Sequence, residues 1–73
     1  MYYYRRIKDL REDHDLTQGD IAKKLGILQQ QYSRYETGAR EIPAHMLIEL
    51  ADFYMVSLDY IAGRTNNPEN PNL

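Results

Sequence analysis

Between Gln29 and Glu36 the chain reads Gln29-Gln30-Gln31-Tyr32-Ser33-Arg34-Tyr35-Glu36. Only Tyr32 and Tyr35 are obvious core candidates here, and their spacing puts them on one face of a helix. The broad remaining face carries carboxamides, a hydroxyl and a guanidinium. A core helix shows a wider apolar stripe. A merely solvated helix favours Lys and Glu, the strong helix formers, over a run of glutamines. Glutamine can bond bidentately to adenine N6 and N7, and arginine to guanine O6 and N7. A helix N-terminus presenting such groups is what the major groove of double-stranded DNA admits. Taken alone, this helix is explained equally well as a solvated surface, so the elements around it must decide.

Other chemistries have little support. His14 and His45 are the only histidines, there is no cysteine, and no serine sits in a nucleophile motif. Glycine-rich phosphate loops are absent. Glu12-Asp13-His14-Asp15 is acidic enough to attract a divalent cation, but its spacing resembles no closed metal site and reads as a hydrated helix end. Neither catalysis, a metal nor a cofactor is expected.

Ile7, Leu10 and His14, with Tyr3 one turn upstream, predict a first helix from about Tyr3 to Asp13. Thr17 and Asp20 form a capping-box pattern ahead of a short helix, Gln18 to Leu25, whose stripe is Ile21, Ala22 and Leu25. Gly26 suits the left-handed residue that ends it. The glutamine-rich helix follows after Ile27 and Leu28, with Gly38 as its stop. Pro43 opens a fourth helix carrying Leu47, Leu50, Ala51 and Tyr54, with Met46 and Phe53 beside the stripe. Ser57 caps a last helix, Leu58 to Ala62, closed by Gly63. The expected organisation is one all-α domain over 1–64, with a helix-turn-helix over about 18–36. A polar, proline-broken tail over 65–73 is expected to be disordered.

A chain of 73 residues without cysteine makes a thin core with no disulfide reinforcement. No apolar run approaches the roughly 20 residues that span a bilayer, so a soluble, cytoplasmic protein is expected. The net charge of −2 is unevenly spread. Residues 17–40 balance at +2, with Lys23, Lys24, Arg34 and Arg40 against Asp20 and Glu36; residues 41–73 balance at −4. Attraction to phosphates should be modest and sensitive to salt.

Order and spacing now add a resemblance. Residues 5–64 resemble the five-helix DNA-binding domain of the phage repressor and Cro class, the XRE family. Leu16-Thr17-Gln18, Ile21-Ala22 and Leu25-Gly26 match its second helix and turn, and Ser33-Arg34-Tyr35-Glu36 with Gly38 matches the end of its recognition helix. Leu47, Leu50-Ala51 and Val56-Ser57-Leu58-Asp59-Tyr60-Ile61 with Gly63 match its last two helices. The resemblance implies an all-α, lambda-repressor-like fold and a small, sequence-specific transcriptional regulator, a repressor on base rates. It places Gln29, Gln30, Ser33 and Arg34 where the family reaches base edges. It makes Gln18 a phosphate contact that braces the first recognition side chain, and Gln31, Arg40 and Lys23 candidate backbone contacts. Lys23 and Lys24 serve equally well to keep the second helix soluble. Arg11 and Glu36 match an internal salt bridge between helices one and three. Two positions depart from the pattern: Leu28 replaces the usual capping Ser or Thr, and Met55 replaces the usual left-handed Gly or Asn.

The implied partners are double-stranded DNA and a second copy of the chain, a homodimer setting two recognition helices about 34 Å apart on an inverted repeat. The rival reading is an antitoxin or protein-interaction module of the same fold, with a toxin or other protein held on helices four and five. Tyr2, Tyr3 and Tyr4 are expected to form an exposed aromatic start, and Met46, Phe53, Met55 and Tyr60 on the last two helices to be mostly core, any that remain exposed marking a self-association or partner face.

Overall fold

The computed structural model describes residues 4–69, and those residues form five helices: α1 (Arg6–Asp13), α2 (Gln18–Leu25), α3 (Gln29–Thr37), α4 (Ala44–Tyr54) and α5 (Leu58–Ile61). No strand occurs among the described residues. This is the expected lambda-repressor-like architecture.

Each apolar stripe read from spacing faces a shared core. Ile7 and Leu10 come from α1, Ile21 and Ala22 from α2, Tyr32 and Tyr35 from α3, and Leu47, Leu50, Ala51 and Tyr54 from α4. Ile42, Val56 and Ile61 close it from the loops and α5. Ile7, Ile21, Leu50 and Ile61 are almost wholly excluded from water. Each such side chain contributes about 1.5–3 kcal/mol over an exposed one.

The helix ends follow one recurrent device. After α2, Gly26 takes φ 71°, and two backbone bonds wrap the terminus: Ile27 N to Ala22 O (3.0 Å) and Gly26 N to Lys23 O (3.2 Å). The same pair of bonds closes α1 around Asp15 (φ 56°) and α4 around Met55 (φ 58°). Asp tolerates this conformation because its short polar side chain can bond locally, whereas Met has no such compensation. At the other ends, Thr17 Oγ1 accepts from Asp20 N (3.0 Å) while Thr17 N donates to Asp20 Oδ2 (2.9 Å), completing the capping box. Ser57 Oγ caps α5 through Tyr60 N (3.0 Å).

Several boundaries and burials differ from those expected. Helix α1 starts at Arg6, the chain entering it through a tight turn with Ile7 N bonded to Tyr4 O, and its N-cap residue Arg5 makes no side-chain cap bond. Tyr2 and Tyr3 lie outside the described residues; Tyr4 is half-buried against the core. Pro43 is the N-cap of α4 rather than its first residue, and α3 runs on to Thr37. Met46 and Tyr60 are half-buried, but Phe53 (42 % exposed) and Met55 (62 % exposed) are not core, because they fall off the Leu47–Leu50–Tyr54 face. Beyond α5 the chain contacts the domain as far as Pro68: Arg6 donates to Tyr60 O (2.7 Å), to Thr65 O and to Asn66 Oδ1 (2.6 Å), stacks on the Tyr60 ring, and Ser57 N bonds Pro68 O (3.0 Å). Residues 70–73 of the expected tail lie outside the described residues.

Two substitutions test the helix-end argument. Leu28, the N-cap of α3, makes no side-chain cap bond, so Leu28→Ser should stabilise the domain by about 1 kcal/mol. Met55→Gly should gain a similar amount, about 1 kcal/mol, by removing left-handed strain at an exposed position. Thermal unfolding followed by circular dichroism would show both; an unchanged or lower midpoint would refute the respective strain.

Candidate nucleic-acid interface

The left-handed turn at Gly26 lets α3 leave α2 at an angle while both bury their apolar faces in the core. Their N-termini are thereby brought to one surface. Gln18, the first residue of α2, joins Gln29 and Gln30, the first two of α3, and Ser33 and Arg34 one turn on. These five line an open concavity of about 620 Å³. No apolar side chain lines it. Gln29, Gln30 and Arg34 are exposed, and Ser33 and Gln18 are half-buried. The start of α3 has neither a capping side chain nor an acidic residue in its first turn, so its positive dipole end is not neutralised locally.

Glycine at position 19 shapes this surface. A Cβ there would lie 3.2 Å from Gln29 Oε1, so the missing side chain leaves Gln29 room to fold across the start of α2. Nothing in the local sequence signals this, because the two residues meet only when α2 and α3 pack.

Behind the concavity lies a buried ionic network. Glu36 is only 2 % exposed. Arg11 grips it bidentately, Nε to Oε2 at 2.7 Å and Nη2 to Oε1 at 3.0 Å, and spends Nη1 on Leu16 O at 2.8 Å. Gln18 Nε2 donates to Glu36 Oε1 at 3.1 Å. Burial by itself would push the Glu36 carboxyl up. Bonds from Arg11 and Gln18, the nearby Tyr32 hydroxyl and the charge of Arg11 outweigh it and hold the carboxyl below its ordinary value. The bond to Glu36 in turn pushes the Arg11 guanidinium up. Tyr32 Oη is buried beside this carboxylate without the alignment of a full hydrogen bond, and desolvation together with that negative charge pushes the phenol far up. Tyr54, also buried and lacking a hydrogen-bond partner at its hydroxyl, is pushed up to about 12, chiefly by desolvation.

The side chains singled out in the sequence thus fall into separate places. Gln29, Gln30, Ser33, Arg34 and Gln18 converge. The Gln18 amide nitrogen is bonded to Glu36 within the protein. Gln31 is likewise engaged within the protein, donating to Tyr35 Oη at 3.0 Å. Lys23 and Arg40 are exposed outside the concavity lining, whereas Lys24 sits 5.5 Å over the Phe53 ring. His14 lies against Tyr54, its Nδ1 donating to Leu10 O at 2.8 Å, and no group of metal-ligating side chains occurs among the described residues.

Two short helices at a tight turn, the second presenting a polar, uncapped N-terminus, define a helix-turn-helix domain. The comparison with known proteins agrees: the helix-turn-helix family model matches residues 7–61, and the chain belongs to that family. It is 40 % identical over 67 residues to the uncharacterized HTH-type transcriptional regulator YobD of Bacillus subtilis, covering 92 % of this chain and 60 % of that protein. It is 31 % identical over 68 residues to the cryptic phage CTXphi transcriptional repressor RstR of Vibrio cholerae, covering 93 % and 61 %. With the antitoxin PezA of Streptococcus pneumoniae it shares 36 % identity over 59 residues, 81 % of this chain and 37 % of that one. The chain therefore spans about three fifths or less of these relatives. No solved structure matches it significantly.

Breaking the network should unfold the domain. Arg11→Ala strands a buried carboxylate and should cost about 3–5 kcal/mol, read by urea or thermal denaturation. Because the folded Glu36 value is depressed, its contribution is present above the ordinary carboxyl value of 4.5 and is lost as pH falls through the lower folded value. Stability should decline on acidification in that window, and Glu36→Gln should flatten part of the decline. The Asp20 carboxylate, also held low by its bonds to Thr17, titrates in the same range and accounts for a remainder.

Proposed function

We propose that the domain binds double-stranded DNA sequence-specifically and acts as a small transcriptional regulator, a repressor, with α3 in the major groove. The observation that carries this reading is the convergence of Gln18, Gln29, Gln30, Ser33 and Arg34 on one open, polar concavity at the head of the helix-turn-helix. Gln29, Gln30, Ser33 and Arg34 read base edges. Gln18 is fixed by Glu36 and braces that surface, with its remaining amide atoms available to the backbone. Arg40 and Lys23 supply phosphate contacts from exposed positions; Gln31, held by Tyr35, has only one amide hydrogen left for such a role. Two copies act together on an inverted repeat. The domain has no enzymatic role and works in the cytoplasm at the nucleoid; no described helix is long and apolar enough to cross a membrane.

A second reading has one specific observation behind it. Ile48, Phe53, Met55 and Leu58 expose apolar surface on α4, its terminal turn and α5, and a relative of this chain is named an antitoxin. On that reading these two helices hold a protein partner such as a toxin.

Selection of random duplexes by the purified protein at about 100 mM salt separates the two. An enriched inverted repeat supports the regulator, while no enrichment by a folded protein favours the partner-dependent one. On the enriched site, Gln29→Ala and Gln30→Ala should each lose about 1–3 kcal/mol, with little change on random DNA. Arg40→Ala should weaken both and reduce the salt slope by about one. Equal losses from the glutamine variants on every sequence would rule them out as base readers.

A further inference from the structure

Leu28 is the most exposed large apolar side chain among the described residues, at 73 %. The other exposed ones, Ile48, Phe53, Met55 and Leu58, belong to α4, its terminal turn and α5. Leu28 instead stands at the head of α3, in extended backbone, its carbonyl accepting from Tyr32 N at 3.1 Å while its side chain makes no cap bond. The position lacks a capping hydroxyl, which costs stability, and sets an isobutyl group in water beside Gln29 and Gln30. The leucine does not serve folding in exchange, since its side chain is not part of the core.

The proposed placement of α3 resolves this. The N-terminus of a recognition helix meets the base edges, so Leu28 enters the groove with the glutamines. Base edges there present donors and acceptors, with one apolar exception, the C5 methyl of thymine. We infer that Leu28 is a specificity-determining residue that packs on a pyrimidine C5 methyl group, that of thymine in an A·T pair. The inference rests on the DNA-binding reading and extends it to one base. It also matches the neighbouring chemistry. A carboxamide suits the N6–N7 edge of adenine, and the thymine paired with that adenine presents its methyl in the same groove. An apolar and a carboxamide side chain in sequence therefore fit the two halves of an A·T pair.

Deoxyuridine in place of thymine removes that methyl and nothing else. Each thymine of the selected site is replaced singly, and affinities are measured for wild type, Leu28→Ala and Leu28→Ser. Wild type should weaken about 4-fold at one position, the worth of one buried methyl group, and both variants should be indifferent there. Leu28→Ser, which regains a cap, should melt above wild type while losing the discrimination, separating reading from folding. In a second arm each cytosine is methylated at C5. A gain for wild type that Leu28→Ala lacks, with no thymine position sensitive, would place Leu28 over a C·G pair and overturn the assignment to a thymine methyl. Wild-type indifference to every substitution, or undiminished discrimination by Leu28→Ala, would overturn the proposal. Recovery of no enriched site at all would overturn the DNA-binding reading beneath it, an outcome distinct from enrichment without methyl sensitivity.

Discussion

A carboxylate that is almost completely buried must be neutralised by something, and in this domain that requirement falls on Glu36. Its hydrogen-bond partners come from two other helices, Arg11 on α1 and Gln18 on α2, with the Tyr32 hydroxyl beside it one turn earlier on α3. Each of these helices is too short to be stable alone. The ionic knot therefore does what a larger core would do in a bigger protein, which is to fix the helices relative to one another. A buried ion pair is weak evidence for net stability, because a well-packed apolar replacement can do as well. Its value here is directional. Hydrophobic contacts among Ile7, Ile21 and Leu50 tolerate small slides, whereas a bidentate guanidinium–carboxylate pair at 2.7 and 3.0 Å does not.

That constraint reaches the outer surface through one residue. Gln18 is bonded to Glu36 on one side and lines the polar concavity on the other. Glu36 and Ser33 stand one turn apart on α3, so the carboxylate also sets the rotation of the helix that carries Gln29, Gln30 and Arg34. The polar face and the knot are consequently one mechanical unit.

Most of the scaffold was readable because its signals are local. Thr17 with Asp20, Ser57, Gly26 and Gly63 announce helix ends through their own side-chain or backbone chemistry, and the apolar stripes of α2 and α4 announce their buried faces. The pairing of Arg11 with Glu36 was accessible only through family resemblance, since 25 residues separate them. What escaped depends on tertiary placement. The inward turn of Gln18, the bond from Gln31 to Tyr35, the room that Gly19 leaves for Gln29 and the clamp of Arg6 on residues 65 and 66 have no local signature. Phe53 and Met55 misled because hydrophobicity and approximate spacing were weighed without the angle at which α4 lies on the core. The acidic run ending at Asp15 reads correctly as a helix end, but no glycine or asparagine there marks Asp15 as its left-handed residue.

The arrangement of charge gives the final step. Of nine cationic side chains, Arg6 holds the C-terminal stretch, Arg11 holds Glu36 and Lys24 lies over Phe53. Lys23, Lys24, Arg34 and Arg40, the cations in the positively balanced middle of the chain, are all exposed to solvent. On the proposed function a protomer then neutralises only a few phosphates, which makes sequence-independent attraction weak. Discrimination must come from neutral groups that bind only where the bases match, and the carboxamides at the head of α3 are such groups. An overall acidic chain is therefore compatible with a selective DNA-binding domain. Low background attraction raises the ratio of specific to random binding, provided that the rigid knot behind the glutamines keeps them in register and a second copy doubles their number.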